Sequence, residues 1–149
     1  MDAARNAELG PTDLETKLRA RGLRVTRPRV AVFRALERMG GHRSVDDVVD
    51  HLRDSGVPLS RMTVYNVVGD LERVSLIMRA DAGPGRAVYE AGNRWHHHFV
   101  CRQCGKIIDV PCVVGSKPCL EQKAVGGVVD EAQVIFRGRC NECVNADGV

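Results

Sequence analysis

The sequence predicts an α+β chain in two parts: a helical first part closed by a β-hairpin, and a smaller strand-rich part built around cysteines. Three observations predict it. Apolar residues recur at helical spacing as far as Leu71, then give way to two β-prone runs split by Asp81-Ala82-Gly83-Pro84-Gly85-Arg86, a loop whose glycines and proline punctuate a hairpin. Cys101-x-x-Cys104 and Cys140-x-x-Cys143 then stand among alternating apolar and polar residues. Finally, the charge is badly mixed: between Lys17 and Arg43 there are nine Lys or Arg against one acid, Glu37.

Leu14 and Leu18, four apart, mark the apolar side of a first helix ending near Gly22. Thr26 is placed to cap a second, with Pro28 in its first turn, Val30, Val32, Phe33 and Leu36 on its apolar faces, and Gly40-Gly41 stopping it. Ser44-Val45-Asp46-Asp47 reads as a capping-box-like start to a third helix, with Val45, Val48, Val49 and Leu52 inward and Gly56-Val57-Pro58 ending it. Ser60 opens a fourth through Met62, Val64, Tyr65, Val68 and Leu71. Strands are expected over 76–80 and 87–90. Small helices followed by a hairpin make a winged helix-turn-helix, with helices three and four as the DNA-reading pair. Beyond Gly92-Asn93, strands are expected over 98–101, 106–110 and 133–137 and a short helix over 118–124, with frayed ends at 1–11 and 144–149. The boundary then divides a winged-helix domain, 1–90, from a second domain, 91–149. The second has few apolar residues, so metal and dimerisation are its expected supports.

Each Cys-x-x-Cys places two thiolates on a tight turn, and two such turns supply the four ligands of a closed tetrahedral zinc site. Thirty-five residues separate the pairs, so the site would staple distant elements rather than close a finger. Disulfides would need an oxidising compartment, yet no signal peptide and no apolar run of membrane-spanning length is recognisable, which makes the expected location cytoplasmic and excludes a membrane partner. A redox Cys-x-x-Cys would need a βαβ setting that this region lacks. Structural zinc at Cys101, Cys104, Cys140 and Cys143 is the expectation.

The net charge of +3 is modest and the aromatic content of 4% argues against a base-stacking single-strand binder. A charge run is ordinarily a solvated face, but nine to one over 27 residues favours a surface facing the phosphates of double-stranded DNA. Arg61, Thr63, Tyr65 and Asn66, at the start of the fourth helix, are expected nearest bases or phosphates; Arg24 and Arg27 are expected on the backbone or minor groove. An enzyme is not expected: His-Glu-x-x-His is absent, as is His-x-Glu with Pro-Cys-x-x-Cys, the marks of zinc hydrolases and deaminases. No small-molecule substrate is expected beyond metal.

Taken in order, Gly22-Leu23-Arg24-Val25-Thr26-Arg27-Pro28-Arg29, His42 before Ser44-Val45-Asp46-Asp47, Thr63-Val64-Tyr65-Asn66, the run His96-His97-His98 before Cys101, and both cysteine pairs resemble a ferric-uptake-regulator-type repressor over about residues 12–143. The segment from Asp109-Val110-Pro111-Cys112 to Lys117-Pro118-Cys119-Leu120 is similar to the actinobacterial catalase-regulating branch of that family. The resemblance implies a homodimer, an N-terminal winged helix, a C-terminal dimerisation domain, a structural four-cysteine zinc, and a regulatory metal at the hinge. By motif position the regulatory ligands would be His42, Glu90, His96, His98 and Asp109. Three imidazoles and two carboxylates make an N/O shell suited to Fe(II), Mn(II) or Zn(II) rather than copper(I). His96 and His98 alternate on a strand and share a face, while His97 points away. In some relatives the His97 position joins a third metal site; no histidine follows residue 98 here, so it stays unassigned. His51 is expected to be exposed.

Peroxide sensors of the family resemble this chain in carrying Asp at the Asp109 position but usually carry Asp at the Glu90 position too, so Glu90 departs from their pattern. The resemblance implies a repressor of catalase-type genes that senses peroxide by oxidation of His42 or His96 beside Fe(II), with Mn(II) as the inert substitute. An iron-uptake or other metal-homeostasis repressor is the alternative. A disulfide between Cys112 and Cys119 is a further redox route, with buried packing thiols as its bland counterpart.

Overall fold

The computed structural model describes residues 11–83, 85–92, 94–120 and 123–148. Five α-helices, α1 (Pro11–Ala20), α2 (Arg27–Met39), α3 (Val45–Asp54), α4 (Arg61–Arg73) and α5 (Asn141–Ala146), accompany strands β1 (Ile77–Asp81), β2 (Ala87–Ala91), β3 (His96–Cys101), β4 (Ile107–Pro111) and β5 (Ile135–Gly138). They divide into two compact units. One runs to Arg79 and takes in Tyr89–Gly92; the other comprises Ala80–Val88 and the chain beyond residue 92. No helix of the described residues is long and apolar enough to cross a membrane.

The first unit is a helical core closed by the base of the β1–β2 hairpin. Leu14 and Leu18 of α1, Val32, Phe33 and Leu36 of α2, Val48 and Leu52 of α3, and Val64, Val68 and Leu71 of α4 are all buried. Val30 and Val49, expected inward, are only half-buried. The cap chemistry is local and strong. Thr26 accepts from Arg29 N, Ser44 and Asp47 form a reciprocal capping box, and Ser60 accepts from Thr63 N. Arg29 of α2 binds Asp70 of α4 at 2.7 Å and holds its carboxyl below the usual carboxylate range.

The second unit is a three-stranded sheet in the order β4-β3-β5, with β3 antiparallel to β4 and parallel to β5. Two expectations need correction. Residues 118–120 are not helical; among the described residues of 118–124 the only helical part is one 3-10 turn spanning Lys123–Val125. Residues 144–146, expected to fray, are the last turn of α5, whose N-cap is Cys140. The expected fraying at 1–10 lies outside the described residues. β3 also begins two residues earlier than expected, which places all three histidines inside the strand.

Candidate metal centres and nucleic-acid face

The four-cysteine cluster lies wholly in the second unit. Cys101 ends β3, Cys104 sits in the turn after it, and Cys140 and Cys143 cap and enter the first turn of α5. The parallel β3–β5 ladder sets Cys101 opposite Gly138 and so delivers Cys140 to the same end of the sheet. Gly138 has no side chain for a reason: a Cβ there would come within 3.3 Å of the Phe99 ring, which packs on the buried cysteines. The four Sγ atoms all fall within 4.8 Å of one another, with Cys101–Cys143 at 3.8 Å and Cys104–Cys140 at 3.7 Å. A tetrahedron of Zn–S bonds about 2.3 Å long has edges of about 3.8 Å, whereas a disulfide would bring two sulfurs to about 2.05 Å. Spacing and softness therefore fit zinc, and four thiolates leave no open position for catalysis. Backbone N–H groups of Cys104 and Cys140 lower the Cys101 thiol to about 6, while burial and the neighbouring sulfurs push Cys143 up to about 12.

The nitrogen and oxygen ligands are set by strand pairing. In the first unit, Arg43 and Tyr89 exchange backbone hydrogen bonds of 2.8 Å each way, an isolated bridge that seats the loop after α2 against β2. It leaves His42 Nε2 3.6 Å from Glu90 Oε2, with both side chains largely buried. In the second unit, His96 and His98 share one face of β3, their ring centroids 4.7 Å apart, and His98 pairs in register with Asp109 of β4. Asp109 Oδ1 lies 3.4 Å from His96 Nε2 and 4.0 Å from His98 Nε2. The carbonyl of Arg94 sits 2.8 Å from His96 Nδ1 and fixes the proton there, which turns the Nε2 lone pair toward the carboxylate side. Arg94 left no sign in the sequence because it acts through its backbone. In each unit, imidazole beside carboxylate at these separations suits a borderline or hard divalent cation and not a soft one.

His97 faces the other side of β3, as alternation requires, and meets Cys119 and Cys112 rather than its neighbours' carboxylate. His51, expected to be exposed, is half-buried along a groove between α2 and α3 of about 430 Å³.

On the first unit, α4 presents Arg61, Tyr65 and Asn66 to solvent, and Arg24 and Arg27 are exposed as well. Tyr65 and Met62 are 55% and 66% exposed on a helix whose other apolar residues are buried. Arg61 is held 2.7 Å from Asp46 of α3. The Thr63 hydroxyl is turned back 2.8 Å onto the Ser60 cap, so it serves the helix start before any ligand. The basic stretch is also partly structural. Arg29 binds Asp70 and the Arg24 carbonyl, Arg43 binds the Met39 and Gly40 carbonyls, and Arg21 binds the Val74 carbonyl.

Residues 20–114 match the Ferric uptake regulator family. The chain is 39% identical over 138 residues to the transcriptional regulator FurA of Mycobacterium tuberculosis, covering 91% of this chain and 92% of that one. It is 40% identical over 126 residues to ferric uptake regulation protein 1 of Mycolicibacterium fortuitum, covering 83% and 78%. Its fold superposes on the manganese-containing ferric uptake regulator of Pseudomonas aeruginosa with a TM-score of 0.65 at 26% identity, over 85% of this chain and 97% of that one. Motifs, fold and relatives agree: the chain belongs to the ferric uptake regulator family of metal-dependent transcriptional regulators.

Proposed function

We propose that this protein is a homodimeric, cytoplasmic repressor that binds double-stranded operator DNA through its first unit and releases it on exposure to peroxide, so controlling oxidative-stress genes of the catalase type. The observation that carries this reading is that each unit gathers its own imidazole and carboxylate donors: His42 with Glu90 on the first, His96 and His98 with Asp109 on the second. A single Fe(II) or Mn(II) taking ligands from both would tie the DNA-reading helix to the second unit. Exposed α4 residues Arg61, Tyr65 and Asn66, with Arg24 and Arg27, would meet the duplex. The homodimer is supported by an apolar row across one face of the sheet, where Ile108, Phe99 and Phe136 stand in register on β4, β3 and β5, and Ile108 and Phe136 are 40% and 48% exposed.

When bound, iron supplies one-electron reduction of peroxide beside its ligands, chemistry that manganese lacks. His42 and His96 are the ligands that such chemistry would mark: an imidazole carrying an added oxygen is a poor donor, and its loss would free one unit from the other. The test compares iron-loaded and manganese-loaded protein on an operator fragment during peroxide treatment. The iron form should leave DNA much sooner, with one oxygen added to the peptide holding His42 or His96. Equal release from both forms with unmodified histidines would overturn it, and release governed by metal supply but indifferent to peroxide would make the chain a metal-homeostasis repressor. A thiol reading has its own observation: Cys112 and Cys119 have come together in the structure.

A further inference from the structure

Beyond Pro111, the last residue of β4, the chain loops through 112–119 and brings Cys119 against His97. His97, Cys112 and Cys119 offer donor atoms within 4.8 Å of one another, a spacing that a soft metal could use. The hydrogen bonds point elsewhere. The backbone N–H of Val134 donates to His97 Nδ1 at 3.3 Å, which leaves the ring proton on Nε2. That N–H faces Cys119 Sγ at 3.4 Å, so the nitrogen a metal would need is already a donor. Cys119 in turn is placed to donate its S–H to the Ala132 carbonyl at 3.6 Å. The series of donors and acceptors is complete with Cys119 as a neutral thiol.

Cys112 is placed differently. The Gly115 N–H reaches its sulfur at 3.4 Å across a tight turn in which Gly115 takes φ +75°. That bond, helped by the Val114 N–H and by Cys119, holds the Cys112 thiol below its ordinary value against the cost of burial. Cys112 is half-buried, and the adjoining Val113 is fully exposed. One sulfur is prepared as a thiolate and the other as a proton-bearing partner.

We propose that Cys112 and Cys119 form a two-electron hydroperoxide switch, Cys112 attacking and Cys119 resolving, whose disulfide weakens the adjacent His96/His98/Asp109 metal half-site. The Cys112 thiolate attacks a peroxide oxygen: an S–O bond forms, the O–O bond breaks, and the departing oxygen takes a solvent proton to leave as water or alcohol. The Cys119 sulfur then attacks the sulfenic sulfur: an S–S bond forms, the S–O bond breaks, and hydroxide leaves as water with the Cys119 proton. Two thiols lose two electrons and two protons to one hydroperoxide. To form the bond, the sulfurs must close to about 2.05 Å, which draws the loop inward from the end of β4. Pro111 pairs with His96 there, and Asp109 lies one strand position from the Val110–His97 pair. The same step removes the S–H that Cys119 offers Ala132 and disturbs the acceptor of His97, the residue between His96 and His98.

The coupling rests on the reading that His96, His98 and Asp109 hold the regulatory metal, and the experiment separates the two. Full-length protein that retains its zinc but has been stripped of other metal is treated with equimolar H2O2, trapped with dimedone, mapped by mass spectrometry and titrated with Mn(II) by electron paramagnetic resonance. The wild type should gain a Cys112–Cys119 disulfide and lose Mn(II) affinity on the order of tenfold, restored by dithiothreitol. Cys119→Ser should accumulate a dimedone adduct on Cys112, whereas Cys112→Ser should show none on Cys119. An adduct on Cys119 instead, or no disulfide, overturns the switch, as does a second zinc per chain that Cys112→Ser loses. A disulfide that leaves Mn(II) affinity unchanged overturns the coupling. Reduced protein that binds no Mn(II) overturns the regulatory-site reading itself.

Discussion

The four-cysteine cluster and the histidine–carboxylate half-site are built on one strand, β3, yet differ in kind. Cys101 joins a set that is complete inside its own unit, with four soft donors at the edge lengths of a zinc tetrahedron. Among the described residues of that unit, His96 and His98 join one further donor, Asp109. A complete set contributes its binding energy to folding, because the unfolded chain has no such site. An incomplete set must recruit its remaining ligands, and that requirement makes its affinity adjustable. The difference teaches that distance from a fold's core is not what separates structural from regulatory metal: closure of the ligand set is.

The sharpest way to break the comparison is to open the closed set. Cys101→Ser or Cys143→Ser should abolish the folded second unit. Apparent zinc binding of roughly 10–16 kcal/mol rivals the whole stability of a domain, about 5–15 kcal/mol. Circular dichroism, zinc content and sizing read the outcome, and a native-like zinc-free protein would erase the distinction. Next in size, His96→Ala should leave folding and zinc content unchanged while the metal dependence of operator binding is lost. Loss of fold instead would mean that the half-site is structural too.

On the DNA face, Tyr65→Ala should cost about 1–3 kcal/mol of discrimination between operator and random duplex, measured by competition gel shift. Arg24→Ala should weaken both duplexes alike and reduce the salt slope by about one. The smallest effect concerns the scaffold beneath. Asp70→Asn should cost about 1 kcal/mol at neutral pH, since the Asp70 hydrogen bond to Arg29, joined by one to Arg73, lowers its folded pKa from 3.8. A depressed carboxylate stabilises above its unfolded value and loses that contribution as pH falls through the folded one. The gap between variant and wild type in urea titrations should therefore close in acid below about 4.

What could be read in advance was whatever chemistry is local. Thr26, Ser44 and Ser60 announce helix starts because a cap needs only the next three residues. Cys-x-x-Cys and the alternating His96 and His98 carry their geometry in their spacing. The errors lie where partners are distant. Asn141–Ala146 has no apolar stripe to betray a helix, and its N-cap Cys140 and its own Cys143, both in the four-cysteine cluster, hold it instead. The short helix expected over 118–124 is absent at 118–120, where Cys119 lies against His97. Arg43 and Tyr89, whose bridge sets His42 beside Glu90, are 46 residues apart in sequence with nothing local to pair them. The basic stretch was read as a single face, although Arg21, Arg29 and Arg43 are spent on carbonyls and Asp70.

The spacing of the cysteine pairs also bears on how the chain is made. Cys101 and Cys104 leave the ribosome ahead of Cys140 and Cys143, with 35 residues between the pairs. At about 5–20 residues per second, that is a wait of roughly 2–7 s. During it the nascent chain exposes half a zinc shell, two thiolates on one turn, while β3 still lacks β5 beside it. The helical unit has meanwhile emerged in full, so it can be assembled before the cysteine-bearing unit exists. Zinc scarcity or thiol damage in that interval would strand a chain with one finished unit and one that cannot close, a cost set by translation speed rather than by the stability of the finished protein.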